Sequence, residues 1–299
     1  MFALHAFGNR ESCEFPHLEA IGKKIVQKCR GLPLTIKTIG GSLRSNLDLT
    51  HWEKILKNHL WDLPEAKSNI LLALRLSYYY LPSHLKRCFA YCSIFPKNYE
   101  LEKDKLILLW MAEDLLQKPK EDGSMEFEEI GEECFNDLVS RSFFQQSNKY
   151  KSRFVMHDLI NDLTKFISGK FCFRPKNYES KEITRKTRHL SYYEAEFDAS
   201  KKFEIPYEAK GLRTFFGGYM LFCWWHKNDN LGKMIDELVQ TFKCLRVLSL
   251  SSIGELHDSV GDLKHLRYLD IGDTEIKHLP DSLCSLYNLQ TLILPSNMT

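Results

Sequence analysis

What this chain has little of narrows it first. Its nine cysteines (Cys13, Cys29, Cys88, Cys92, Cys134, Cys172, Cys223, Cys244, Cys284) include no CxxC pair. An odd, scattered set builds neither a disulfide framework nor a zinc module, so reduced thiols are the simpler reading. No apolar run reaches the ~18–20 residues of a membrane span, since ILLALRLSYYYL is broken by Arg75. The opening MFALHAFGNRESCEF has no cationic start, long apolar region or small-residue cleavage site of a signal peptide. Excess charge is missing too: 41 Lys and Arg against 39 Asp and Glu leave +2, which advertises no nucleic-acid surface. These absences predict a cytoplasmic protein with no transmembrane segment and no nucleic-acid partner. A phosphate-cradling loop is absent as well. No GxxxxGK[ST] occurs, and Gly22-Lys23, Gly169-Lys170 and Gly232-Lys233 lack both the following Ser or Thr and the upstream glycine. No apolar strand ends in paired aspartates that could hold magnesium. Independent ATP hydrolysis is therefore not expected, no catalytic residue is assigned, and the chain is not read as an enzyme.

What remains is ordinary globular composition, 43% hydrophobic and 27% charged over 299 residues, long enough for two or more domains. From about Phe15 to Ser168 apolar residues recur at intervals of three and four, as in Leu18, Ile21, Ile25 and Leu106, Leu109, Trp110, which predicts helices. In RGLPL (30–34) Gly31 ends one helix and Pro33 opens the next, running to about Ser42. LPSHLKRCFAYCSIFP (81–96) is a buried helix between Pro82-Ser83 and Pro96. KPKEDGS (118–124) is a turn or loop, Met125 to Leu138 a helix, and SFFQQ (142–146) and RFVM (153–156) flank SNKYKS as a hairpin. Helices followed by a small hairpin suggest a winged-helix module ending near residue 170.

After KEITRKTR (181–188) the pattern changes. LRVLSL, LRYLDI and LQTLIL place leucine-type residues at 245, 248, 250, at 266, 269, 271 and at 289, 292, 294. Their starts lie 21 and 23 residues apart, within the leucine-rich-repeat range. HLSYY (189–193) and LRTFF (212–216) are irregular first repeats, separated from the regular ones by GGYMLFCWWHKNDN. In such a repeat the strand residues between the leucines face solvent on a concave, protein-binding surface, and an uncapped last repeat exposes core leucines.

Three motifs carry candidate chemistry. In FVMHDL (154–159), His157 and Asp158 are adjacent, about 100° apart on a helix, so they cannot orient one another as a dyad. Leu159, Ile160, Leu163, Phe166 and Ile167 share one helical face, which puts His157 at a helix N-terminus. There it is either an ordinary helix start or a donor beside an anion. Pro33 is a helix start on local grounds. Cys88 and Cys92 have a spacing that would suit a metal, but aromatic neighbours and no companion ligands favour core packing. The SYYYLP tyrosines and the Trp224-Trp225 pair are read as packing residues.

In order, LHAFG (4–8), CRGLPLTIKTIGGSLR (29–44), LRLSYYYLPSHLKRCFAYCSIFPKNYELEKDKLILLWMAEDLL (74–116), VMHDLINDL (155–163) and RHLSYY (188–193) closely resemble plant intracellular immune receptors. These are the NB-ARC leucine-rich-repeat disease-resistance proteins, coiled-coil type. The resemblance covers nearly the whole chain. It implies a multidomain fold: the residual end of a nucleotide-binding domain at 1–12, a mainly α helical-bundle domain with the GLPL motif at 13–95, a winged-helix domain with the MHD motif at 96–175, and an α/β leucine-rich-repeat solenoid at 176–299, incomplete at its end. It also implies an ADP/ATP-controlled switch in plant defence, in which ADP holds the receptor closed. By that resemblance Pro33 packs against adenine, His157 contacts the ADP phosphates, and Met156 and Asp158 support the local structure. The partners implied are a pathogen effector or host guardee, and other receptor chains. Coiled-coil domain, phosphate loop and magnesium-binding aspartates have no counterpart here, and Thr35 stands where the family has alanine, a change expected to be tolerated. The expectation is thus an N-terminally truncated receptor that alone binds ADP weakly or not at all. Alternatives are a truncated protein-binding module acting as a decoy or partner of full-length receptors, and a winged-helix DNA-binding protein.

Overall fold

Proline at the first helical position starts two of the first three helices, because a first-turn N–H has no intrahelical acceptor to lose. Pro16 opens α2 (Pro16–Lys28) and Pro33 opens α3 (Pro33–Arg44), after α1 (Phe2–Phe7). Between α2 and α3 the chain reverses through Arg30 (φ 52°) and Gly31 (φ 75°), the left-handed exit glycine permits at least cost. The computed structural model describes residues 1–8, 10, 12–44, 46–62, 69–117, 125–175, 183–192, 205–217 and 231–296. The loop KPKEDGS and all but the first residue of GGYMLFCWWHKNDN, with Trp224 and Trp225, lie outside them.

The described residues form two compact units. The first comprises residues 1–90, 97–103 and 118–166. It adds α4 (Leu49–Leu56), α5 (Asn69–Tyr79), α6 (Ser83–Tyr91), whose last residue passes into the second unit, and α8 (Phe127–Ser140). Its core gathers Ala6, Phe7, Leu18, Ile25, Ile39, Leu43 and Ile55 around Trp52. Trp52 is fully buried, and its indole N–H donates to the Asn46 carbonyl at 3.0 Å, so burial of the ring leaves no polar atom unpaired. Glu126 and Glu129 cap the start of α8 reciprocally. A three-stranded antiparallel sheet, in the order β1 (Leu101–Glu102), β3 (Arg153–Val155), β2 (Gln145–Gln146), supplies the wing. Of the SYYYLP tyrosines, Tyr79 is exposed rather than packed, and Lys86 lies over both its ring and that of Tyr78.

The second unit comprises residues 91–96, 104–117 and 167–299. It takes most of α7 (Lys103–Ala112), the end of α9 (Asp158–Ser168) and α10 (Leu231–Thr241). Its six-stranded parallel sheet runs in chain order: β4 (Cys172–Phe173), β5 (His189–Ser191), β6 (Thr214–Phe216), β7 (Val247–Ser249), β8 (Tyr268–Asp270) and β9 (Thr291–Ile293). Leu248 pairs in register with Phe215 and Leu269, and Leu269 with Leu292, so each repeat stacks its apolar position on the last. Leu245, Leu248, Leu250, Leu266, Leu269 and Ile271 are buried in one core with Phe215, Ile235 and Phe242. This parallel sheet region is consistent with the start of a leucine-rich-repeat region.

One expectation fails here. The repeat pattern places the strand residues between the leucines in solvent, yet Ser191, Thr214, Phe216, Val247, Ser249 and Tyr268 are all buried. The reason is tertiary: residues 91–96 and 104–117 belong to this unit and cover that face. The Phe95 ring lies 6.1 Å from Phe216, Tyr91 reaches the Thr214 hydroxyl at 3.3 Å, and Asp114 bridges Arg246 and Arg267. Only toward β9 does the sheet open, where Leu292 and Leu294 are exposed as the repeat pattern anticipates.

Candidate functional site

A cleft of about 350 Å³ in the first unit is lined by Leu32, Pro33, Leu34, Thr35, Lys37, Gln145, His157 and Leu159. That volume is at the lower end for small-ligand sites. Two helix starts line it, the first turn of α3 and that of α9, so residues distant in sequence share one wall. The two helix starts and Lys37 bring positive potential to a wall that is otherwise largely apolar, formed by Leu32, Pro33, Leu34 and Leu159.

At the α3 end, Pro33 is exposed within the cleft and Leu34 is buried beneath it. Thr35 is fully buried, and its hydroxyl donates to the Leu32 carbonyl at 2.8 Å. The hydroxyl is therefore satisfied within its own turn, which explains how threonine sits at this position. At the α9 end, His157 precedes the helix as its N-cap. Its carbonyl accepts from the amides of Ile160 (2.8 Å) and Asn161 (2.9 Å), and ring Nδ1 accepts from the Leu159 amide at 3.2 Å. A neutral ring that accepts at Nδ1 carries its proton on Nε2. One ring nitrogen thus serves the helix, and the same residue lines the cleft. The two readings of His157, helix start and ligand contact, are compatible. Asp158 is exposed in the first turn of α9, where a carboxylate suits the dipole, and Met156 is buried just before the cap.

Lys37 and Gln145 join the cleft without being among the candidate residues that the sequence motifs mark. Lys37 lies one turn beyond Pro33, a signal that helical spacing could have supplied. Gln145 comes from β2 across the fold, and nothing local marks it. Cys88 and Cys92 are both fully buried, and among the described residues no group of three or more His, Cys, Asp or Glu is arranged to hold a metal. On the wing, Arg153 is bound by Glu102 at 2.9 Å and faces Glu100, so carboxylates already neutralise that cation. No helix among the described residues is long and apolar enough to cross a membrane.

Residues 94–164 match the model of the disease resistance protein winged helix domain, which agrees with the helices and three-stranded wing of the first unit. The chain belongs to the plant disease-resistance proteins, in the group that includes the RPP13-like and RGA proteins. It is 46% identical over 297 residues to putative disease resistance RPP13-like protein 1 of Arabidopsis thaliana, covering 98% of this chain and 28% of that protein. Putative disease resistance protein RGA1 of Solanum bulbocastanum is 39% identical over 275 residues, covering 91% of this chain and 24% of its own. Disease resistance protein RGA2 of the same species is 48% identical over 165 residues, 54% of this chain and 17% of its own. The chain thus spans about a quarter of the length of the curated relatives it matches.

Proposed function

We infer that this chain is the switch-side segment of a plant immune receptor: helical and winged-helix lobes that close on ADP, followed by the beginning of a leucine-rich-repeat solenoid that recognises proteins. The observation that carries this reading is that Pro33 and His157 line the same cleft. A flat, exposed proline suits the face of an adenine, and an Nε2–H donor suits a phosphate oxygen, as the family resemblance expects. Lys37 adds a charge of the right sign. The other phosphate contacts and the magnesium ligands belong to sequence that these 299 residues do not contain, so hydrolysis is not assigned to this chain.

The test uses a longer chain in which a phosphate-binding loop precedes these residues. There His157→Ala is expected to weaken ADP retention about tenfold, the loss of one hydrogen bond of ~1.4 kcal/mol to a charged group, and to produce autoactivation. Unchanged ADP release with no autoactivation would remove His157 from the site. The 299-residue chain alone is expected to bind ADP weakly or not at all. Sub-micromolar affinity in isothermal titration would contradict that.

A further inference from the structure

The segment that covers the repeat sheet is held by a polar cluster with an unusual member. Glu113, just beyond α7, is 3% exposed. Its Oε1 accepts from the Thr214 hydroxyl at 2.6 Å, while Oε2 is buried with no hydrogen-bond partner among the described residues. Thr214 is the hub. Its single proton goes to Glu113, so Tyr91 O–H (3.3 Å) and His189 Nδ1–H (3.1 Å) must donate to it. His189 lies 3.7 Å from the carboxylate, but burial, reinforced by Arg213, Arg188 and Arg246, pushes its pKa down to about 3. It is a neutral hydrogen-bond donor, not the counter-ion of Glu113. The other groups facing Glu113 are Cys172 on β4, Arg213 and Arg246 at the starts of β6 and β7, and its neighbour Asp114. The arginines act on it at longer range and Asp114 is committed to Arg246 and Arg267.

An ionised carboxylate with one bare buried oxygen is costly, and a proton on that oxygen removes the charge without disturbing the bond from Thr214. We propose that docking of residues 104–117 onto the repeat sheet is proton-linked through Glu113, so that this contact tightens as the solution is acidified and loosens toward neutral pH. Burial raises the Glu113 carboxyl from 4.5 to about 6, and the Thr214 bond and Arg246 only partly oppose it. A carboxyl whose pKa is raised on docking takes up a proton. The gain is complete below about 4.5 and is lost as pH rises through about 6.

The experiment is hydrogen exchange on the 299-residue chain, corrected for the intrinsic pH dependence of the amides, reading residues 104–117 and strands β5 to β7. Between pH 7.5 and 5.5, protection of the wild-type chain is expected to rise about fourfold, the ratio set by carboxyl values of about 6 docked and 4.5 free. Glu113→Gln keeps the shape, removes the charge, and is expected to be protected at all pH values with most of that slope gone. Asp270, a half-buried carboxyl on β8 whose pKa burial also raises, is the control: Asp270→Asn should retain most of the slope. A flat wild-type profile overturns the proposal whether or not a variant folds. So does a wild-type slope that survives in full in Glu113→Gln.

Discussion

Thr214→Val destabilises the docked repeat sheet by ~3 kcal/mol, since one methyl-for-hydroxyl exchange leaves several buried polar groups without their common partner. The Glu113 carboxylate, Tyr91 hydroxyl and His189 Nδ1 all meet at this oxygen, and Thr214 itself is fully buried. Valine has the same shape, so the loss is one of hydrogen bonding and not of packing. Removing the bond that lowers the Glu113 pKa also drives that carboxyl further upward, so the variant's stability should go on falling above pH 6, where the wild type levels off. Thr214→Ser keeps the oxygen and should stay within ~1 kcal/mol of wild type, the cost of one lost buried methyl. Urea titration of the second unit checks both. A Val variant as stable as the Ser variant would show that the network does not hold the sheet.

Gly41→Val is expected to destabilise the first unit by ~3 kcal/mol, at the upper end for overpacking. A Cβ at this position would stand 2.6 Å from the Arg141 Cα and 2.9 Å from the Ser140 carbonyl oxygen. Both are backbone atoms at the end of α8, which cannot rotate aside as a side chain could, so α3 would have to move away from α8. The cleft would feel the shift, because α3 carries Pro33, Thr35 and Lys37 into it. Gly31 is the contrast. Its Cβ direction is open and only its φ of 75° is demanding, so Gly31→Asn should cost ~1 kcal/mol or less. Urea denaturation of each variant, followed by circular dichroism, separates the two cases. Equal stability of the two variants would contradict the close approach.

Much of this architecture was legible because its signals are local. Gly31 followed by Pro33 marks a helix exit and entry through φ preferences that belong to those residues alone, and α3 begins at Pro33, ending at Arg44, two residues beyond the Ser42 expected. The helix expected from Met125 to Leu138 appears at Phe127–Ser140, a shift set by the reciprocal Glu126 and Glu129 cap. The hairpin strands and the repeat strands fall where alternation and leucine spacing put them. His157 at a helix start was legible too, from the apolar face that follows it. Its use of Nδ1 as the cap was not, since a ring nitrogen and a backbone amide meet only once the turn is built.

The sequence by itself determined which residues form helices and strands, which leucines face a core, and, through the order of its motifs, the protein family. Those properties follow from periodicity and backbone preference within a few residues. Only the tertiary structure decided that Pro33, Lys37, Gln145 and His157 line one cleft, and that the strand face reserved for solvent is covered by residues 91–96 and 104–117. Burial of Thr214 and Glu113 depends on segments separated by about a hundred residues, and no local pattern encodes which distant surface will cover a given strand.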